Sequence, residues 1–206
     1  MNRIEAIYKY IDLDDKVVDV GCDQAKLSIM LAGRNQKSIA CDISEKVINK
    51  AKENIKSNLI DLRVSNGLED IKDNEVDTLV LSGMGTHTII DILSKTNLRF
   101  KKIITISNNY HDILRNKMNN FNYKVELEEI VKENNKYYNL ILFTEGNKEY
   151  TEEELLLGLN HNNKELYKEY LEFLLNKYLN IKKNSKDKND KVNLMINYIN
   201  KRIESY

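Results

Sequence analysis

The chain has 206 residues, enough for one mid-sized domain plus an appendage without small-protein staples. Its 32 Lys and Arg balance its 32 Asp and Glu, so no overall basic field marks a nucleic-acid binder, and only a local patch could serve that role. Cys22 and Cys41 stand 19 positions apart with no CxxC or Cys/His cluster, and no apolar run nears the roughly 18 residues of a membrane span; free buried thiols, no metal, no membrane and a cytoplasmic location are expected.

The first ten residues, MNRIEAIYKY, carry neither an apolar signal core nor an Arg/Ser-rich transit pattern. After them, short β-branched runs alternate with helical patterns, and strands are predicted over 16–20, 37–42, 60–64, 77–82 and 101–107. AKLSIMLAG supplies the first intervening helix, with Gly33 as its predicted C-cap. Ser44 leads EKVINKAKENI, whose Val47, Ile48, Ala51 and Ile55 share one face; THTIIDIL and HDILRNKM give helices after the fourth and fifth strands. Such a βαβ series makes a parallel sheet covered by helices on both faces. YKVELEEIV, the polar ENNK and YYNLILFT then break the alternation, because so short a loop joins only antiparallel strands. From Thr151, which forms a capping box with Glu154, the pattern is wholly helical. Tyr167, Leu171, Leu174, Tyr178 and Ile181 form one coiled-coil seam; Val192, Met195, Ile199 and Ile203 form another beyond KKNSKDKND. The expected organisation is an α/β domain over 1–149 and a helical coiled-coil hairpin over 150–206, which needs a surface to pack on.

The chemistry is concentrated at strand ends. VVDVGCDQAKLS, residues 17–28, ends a strand in a glycine turn, yet Asp23 stands where a dinucleotide fingerprint needs its second glycine. That charge repels a pyrophosphate and suits a ligand carrying a sulfonium and an ammonium, as S-adenosylmethionine does. Asp42 ends the second strand 21 positions after Gly21, where a carboxylate can accept both hydroxyls of a ribose; a helix-capping or turn role is the plainer alternative. Asn66-Gly67 is read either as an adenine contact or as a simple turn. Ser82-Gly83-Met84-Gly85 closes the fourth strand with two glycines that permit close backbone approach. His87 and His111 are read as surface or cap residues, and no Ser/His/Asp or Cys/His arrangement supports nucleophilic hydrolysis.

Five parallel strands followed by an antiparallel pair is the strand grammar of class I methyltransferases. V-D-V-G-C-D-Q-A-K-L, N-G-L-E, S-G-M-G-T and S-N-N-Y-H-D-I-L-R together resemble the bacterial tRNA (adenine-22) N1-methyltransferase family, over almost the whole chain. The resemblance implies a class I methyltransferase domain with a C-terminal coiled coil, S-adenosylmethionine as methyl donor and tRNA as partner. It implies a cofactor site of Asp19, Gly21, Asp42, Ile43, Asn66, Gly67, Ser82, Gly83 and Met84. Asp23 and Asn108 would face the target adenine as catalytic groups, with Arg3 and Arg115 toward RNA; apart from the resemblance, Lys26 near the same strand edge is read as a further RNA contact and the protein is taken as a monomer. Against the family pattern, Gln24 stands for His, Lys26 for Tyr, Ser28 for Pro, Asn66 for Asp, and Ile106-Ser107-Asn108 for Gln-Pro-Asn. Arg34 is a further candidate for a basic patch. The segment 182–191, with five Lys against two Asp, is read equally as a phosphate contact or a solvated loop. Methyl transfer to another acceptor, and a non-catalytic RNA- or protein-binding module on a methyltransferase shell, are the alternatives.

Overall fold

In the computed structural model, which describes residues 1–159, 161–184 and 190–206, the β-branched runs become seven strands of one sheet. A helix not foreseen in the sequence, α1 (Arg3–Lys9), comes first, its start fixed by a capping box in which Asn2 and Glu5 satisfy each other's backbone. Then follow β1 (Val17–Val20), α2 (Lys26–Gly33), β2 (Ser38–Asp42), α3 (Glu45–Asn54), β3 (Ile60–Val64), β4 (Thr78–Ser82), α4 (Thr86–Ser94), β5 (Lys102–Ile106) and α5 (His111–Asn120). β6 (Tyr123–Glu133) and β7 (Lys136–Glu145) form the expected hairpin, tightened to a two-residue turn because Asn134 and Asn135 both take left-handed φ, at 50° and 60°. The chain closes with α6 (Glu152–Leu157), α7 (Lys164–Asn184) and α8 (Asp190–Glu204).

The sheet order is β3-β2-β1-β4-β5-β7-β6, the first five strands parallel and β7 antiparallel to both neighbours. α1 and α2 pack with Val17, Val80 and Ile104 on one face, and Ala40, Ile48 and Ala51 extend that face under α3. α4 and α5 bury Ile89, Leu93, Leu114 and Met118 on the other face against Val18, Leu79, Leu81 and Ile103. Each strand contributes to both layers because successive side chains point to opposite faces.

Two sequence expectations need correction. Gly33 is the last residue of α2 rather than its cap: Arg34 is the C-cap, and Asn35 takes the left-handed conformation (φ 62°) that turns the chain. The helical run from Thr151 is interrupted after Leu157, where Gly158 leaves helical geometry at φ 81°, so the capping box starts a short helix of its own. The two seams do meet. Tyr167 and Leu171 of α7 bury together with Met195 and Ile199 of α8, and Leu157 and Ile130 of β6 complete that core. Ile181, at the far end of the first seam, is exposed, and the polar segment joining the helices lies outside the described residues at 185–189.

Candidate functional site

The chain leaves β1 toward β2 and β3, then returns to β4 and moves off the other way to β5, so the crossovers diverge between β1 and β4. That divergence opens a crevice at the strands' C-terminal ends. Val20 pairs with Leu81, which brings the turn after β1 beside the turn after β4. Gly21 sits at φ +77°, where a side chain is strained, and a Cβ there would lie 3.1 Å from the Met84 Cε, so any other residue would also have to displace that methyl. The Gly21 and Cys22 amides both donate to the Cys41 carbonyl, folding the turn back on β2 and leaving Asp23 exposed at φ 47°. Gly83, at φ +79°, has no heavy atom within 4 Å of where a Cβ would stand, so its backbone is open to a ligand. Asn108 clasps this turn: its amide N–H donates to the Met84 carbonyl and its Nδ2 to the Gly83 carbonyl at 3.0 Å.

Beneath these turns lies an acid without a counterion. Asp19 is 7% exposed on the face covered by α2, and no described residue gives its carboxylate a hydrogen bond or a cation. Burial, and then the charge of Asp42, push its pKa up to about 7. Asp42 ends β2 half-exposed and accepts the Ser44 amide at 2.9 Å, while Ser44 caps α3; the turn role and the edge position thus coexist. Cys22 and Cys41 are free and buried, and burial followed by the Asp19 charge raises both thiols to about 12, so neither supplies a thiolate. A buried carboxylate beside an open glycine backbone fits a ligand with positive charge.

The other predicted residues divide. Ser82 and Met84 flank Gly83 half-buried, and Ile43 stands 70% exposed next to Asp42, an apolar side chain at the crevice rim. Gly67 takes φ +63°, while Asn66 is exposed and donates to Glu69. A cleft of about 340 Å³ between Asn66, Glu69, Asp91 and Lys95 includes Asn66 alone of the predicted cofactor residues. Lys26 is exposed at the start of α2. Arg3 is half-exposed but already engaged: its Nε lies 2.6 Å from Glu133 and its guanidinium 4.4 Å above the Tyr138 ring.

Arg115 is not at the surface. It is 1% exposed and forms a fork with Glu128 (Nε to Oε1 2.8 Å, Nη2 to Oε2 2.6 Å), with Nη1 donating to the Leu155 carbonyl; this corrects the expected RNA contact. Its place on the apolar side of α5, between Leu114 and Met118, was the overlooked signal. Arg34 is likewise withdrawn from any patch at the site. It lies at the end of α2 away from the glycine turn, donates to the Ile11 carbonyl and to Gln36, and stacks on Tyr8. His87 is exposed, as expected, while His111 is held between the Ser107 carbonyl and Asn139, its pKa lowered by burial and then by Arg115. Of the basic segment, Lys182, Lys183 and Lys191 are exposed on helix ends, and Lys186 and Lys188 lie outside the described residues.

With this geometry in view, likeness to known proteins becomes specific. Residues 1–141 match a family model described as a methyltransferase domain. The structure of M. capricolum TrmK, in complex with S-adenosyl-homocysteine, is 29% identical with a TM-score of 0.85, covering 98% of this chain and 96% of that one. The B. subtilis m1A22 tRNA methyltransferase TrmK is 22% identical with a TM-score of 0.74, covering 98% of this chain and 94% of that one. A Streptococcus agalactiae protein of the NADB-Rossmann superfamily is 24% identical with a TM-score of 0.87, covering 98% and 96%. These last two are similar in fold.

Proposed function

We propose that this chain, which belongs to the methyltransferase-domain family, transfers a methyl group from S-adenosylmethionine to N1 of adenosine 22 in the D-arm of tRNA. The observation that carries this reading is the likeness, along 98% of the chain and through the C-terminal helices, to M. capricolum TrmK with S-adenosyl-homocysteine. The buried acid at Asp19, which no described residue pairs, and the open turn at Gly83 support it from within the molecule.

Asp19, Gly21 and Ser82 to Met84 would hold the amino-acid end of the donor, with Asp42 on the ribose and Ile43, Asn66 and Gly67 around its adenine. When bound, S-adenosylmethionine supplies a methyl on a sulfonium. The adenine N1 lone pair would form the new N–C bond as the C–S pair returned to sulfur, which would leave a neutral thioether and put the positive charge on the purine. N1 is already a free base at neutral pH, so the protein's part is orientation and charge placement. Asp23, exposed at the mouth, would accept N6–H and stabilise the charge that develops on the ring. Asn108 is pinned through Nδ2 to Gly83, which leaves its amide oxygen for the Watson–Crick edge. Lys26, exposed beside Asp23, would meet a phosphate, and the helical arm over 150–206 would carry the rest of the tRNA.

The test is transfer of labelled methyl to an unmodified tRNA transcript with adenosine 22, beside one with guanosine there. Label on the adenosine transcript alone is the expected result; label on neither, with donor binding intact, overturns the acceptor.

A further inference from the structure

The β5–α5 turn carries a feature that the donor site does not use. Tyr110 stands two residues after Asn108, is 54% exposed, and takes a left-handed φ of 52° as the N-cap residue of α5. A left-handed φ is uncommon for a bulky aromatic residue, and hydrogen bonds from the neighbouring turn fix the backbone there. The buried Thr86 donates its hydroxyl to the Asn109 carbonyl at 2.6 Å, with the Tyr110 carbonyl at 3.4 Å, tying the turn to the start of α4. From α4, the exposed His87 ring meets the Tyr110 ring with centroids 5.6 Å apart and planes tilted by 53°. At this tilt the two rings are not stacked face to face. β5 lies on the side of β4 away from β1, β2 and β3, so the aromatic pair is on the acceptor side of the crevice, opposite Asp42 and Asn66.

We infer that Tyr110, braced by His87, is the stacking platform for the extruded target adenine, presenting its ring to the face of the base whose edge Asn108 holds. The inference rests on the proposed function and deepens it: a base taken out of its stack loses neighbours on both faces, and an exposed aromatic ring beside the hydrogen-bonding group replaces one of them. Tyr110 is thus a positioning group for the acceptor with no part in holding the donor.

The experiment compares the wild type with Tyr110→Asn, which keeps a residue tolerant of left-handed φ while removing the ring, and with Tyr110→Phe, which keeps the ring. Two readouts are taken: kcat/KM on the adenosine 22 transcript, and the fluorescence of a transcript carrying 2-aminopurine at that position, bound in the presence of S-adenosyl-homocysteine. Tyr110→Asn should lose about 5- to 150-fold in kcat/KM and give a brighter, unstacked 2-aminopurine, with Tyr110→Phe close to wild type on both. Affinity for S-adenosyl-homocysteine should be the same in all three. Wild-type kcat/KM and quenching in Tyr110→Asn would overturn the platform while leaving the proposed function standing. No methylation of the adenosine 22 transcript by the wild type itself would instead remove the acceptor, and the platform with it.

Discussion

Replacing Asp19 with Asn tests whether the buried acid is kept for a cation. In the free protein its carboxyl is pushed from 3.8 up to about 7, by burial and then by Asp42, with Cys22 and Cys41 as the neighbouring titratable groups. Between these two values the native state keeps a proton that the unfolded chain has lost, so stability falls as pH rises from 3.8 to about 7 and levels off above. At about 1.4 kcal/mol per tenfold change in proton affinity, that span amounts to about 4 kcal/mol, which Asp19→Asn should recover at pH 8 in urea unfolding. Donor binding should show the converse. If only the ionised form of Asp19 meets the ligand's positive charge, about a tenth of the protein is competent at pH 6 and nearly all at pH 8, so wild-type affinity for S-adenosylmethionine should rise about tenfold. Calorimetry near pH 6 in two buffers of different ionisation enthalpy should register nearly one proton released. Titration of the ligand's own ammonium is common to both proteins and cancels when wild type is divided by Asp19→Asn. A ratio that stays flat from pH 6 to 8 would refute the placement of Asp19 against the cationic end of the donor.

Other perturbations address separate parts of the molecule. Asp23→Ala should lower kcat by about 100-fold while leaving S-adenosylmethionine affinity nearly unchanged, measured by single-turnover methylation beside calorimetry; an unchanged rate removes Asp23 from the acceptor site. Glu128→Ala strands a fully buried guanidinium at Arg115 and should cost about 3–5 kcal/mol, whereas the paired change Arg115→Met with Glu128→Leu should regain most of it in urea unfolding. Burial alone would push Glu128 up, but Arg115 prevails and holds it below the usual carboxylate range; the pair's stabilisation is therefore present above about pH 4.3 and lost as pH falls through the lowered folded value. Truncation after residue 150 should leave no independently stable domain, because it uncovers Ile130 and removes the Leu155 carbonyl and Leu159 amide that Arg115 and Glu128 use; a truncated chain melting cooperatively at the full-length temperature would contradict this.

The strands were legible because each parallel β-run is a short β-branched block between glycine or polar breaks, and the predicted limits differ from the observed ones by no more than a residue at either end. The Ser44 cap and the Thr151 capping box were equally plain, since each is a local hydrogen-bond device, whereas the hairpin loop, read as ENNK, closes to Asn134-Asn135 alone. What sequence could not assign was the use of charge. Arg3, Arg34 and Arg115 look alike along the chain, yet they end half-exposed on Glu133, folded onto Ile11 and Tyr8, and buried on Glu128, because their partners lie up to 130 residues away. The break after Leu157 was signalled by Gly158 and the Asn162-Asn163 pair beyond it, whereas the need for glycine there comes from outside: a Cβ on Gly158 would fall 2.7 Å from Glu128 and 2.8 Å from Arg115.

The attachment of the first helix sets an order on synthesis. Lys9 and Tyr10 both bind Glu129, Arg3 binds Glu133, and Asn162 donates to the Tyr10 hydroxyl, so the acidic groups that hold this segment lie 119 to 130 residues further along the chain. At 5–20 residues per second, the ribosome needs roughly 6 to 25 s to deliver Glu129 after Lys9 has been made. Over that interval the apolar side of α1, Ala6 and Ile7, already has Leu27 and Leu31 of α2 to pack on, while its acidic partners are still to be made. Its polar side is fixed by β6, so this one short helix ties together two parts of the chain that are made at different times.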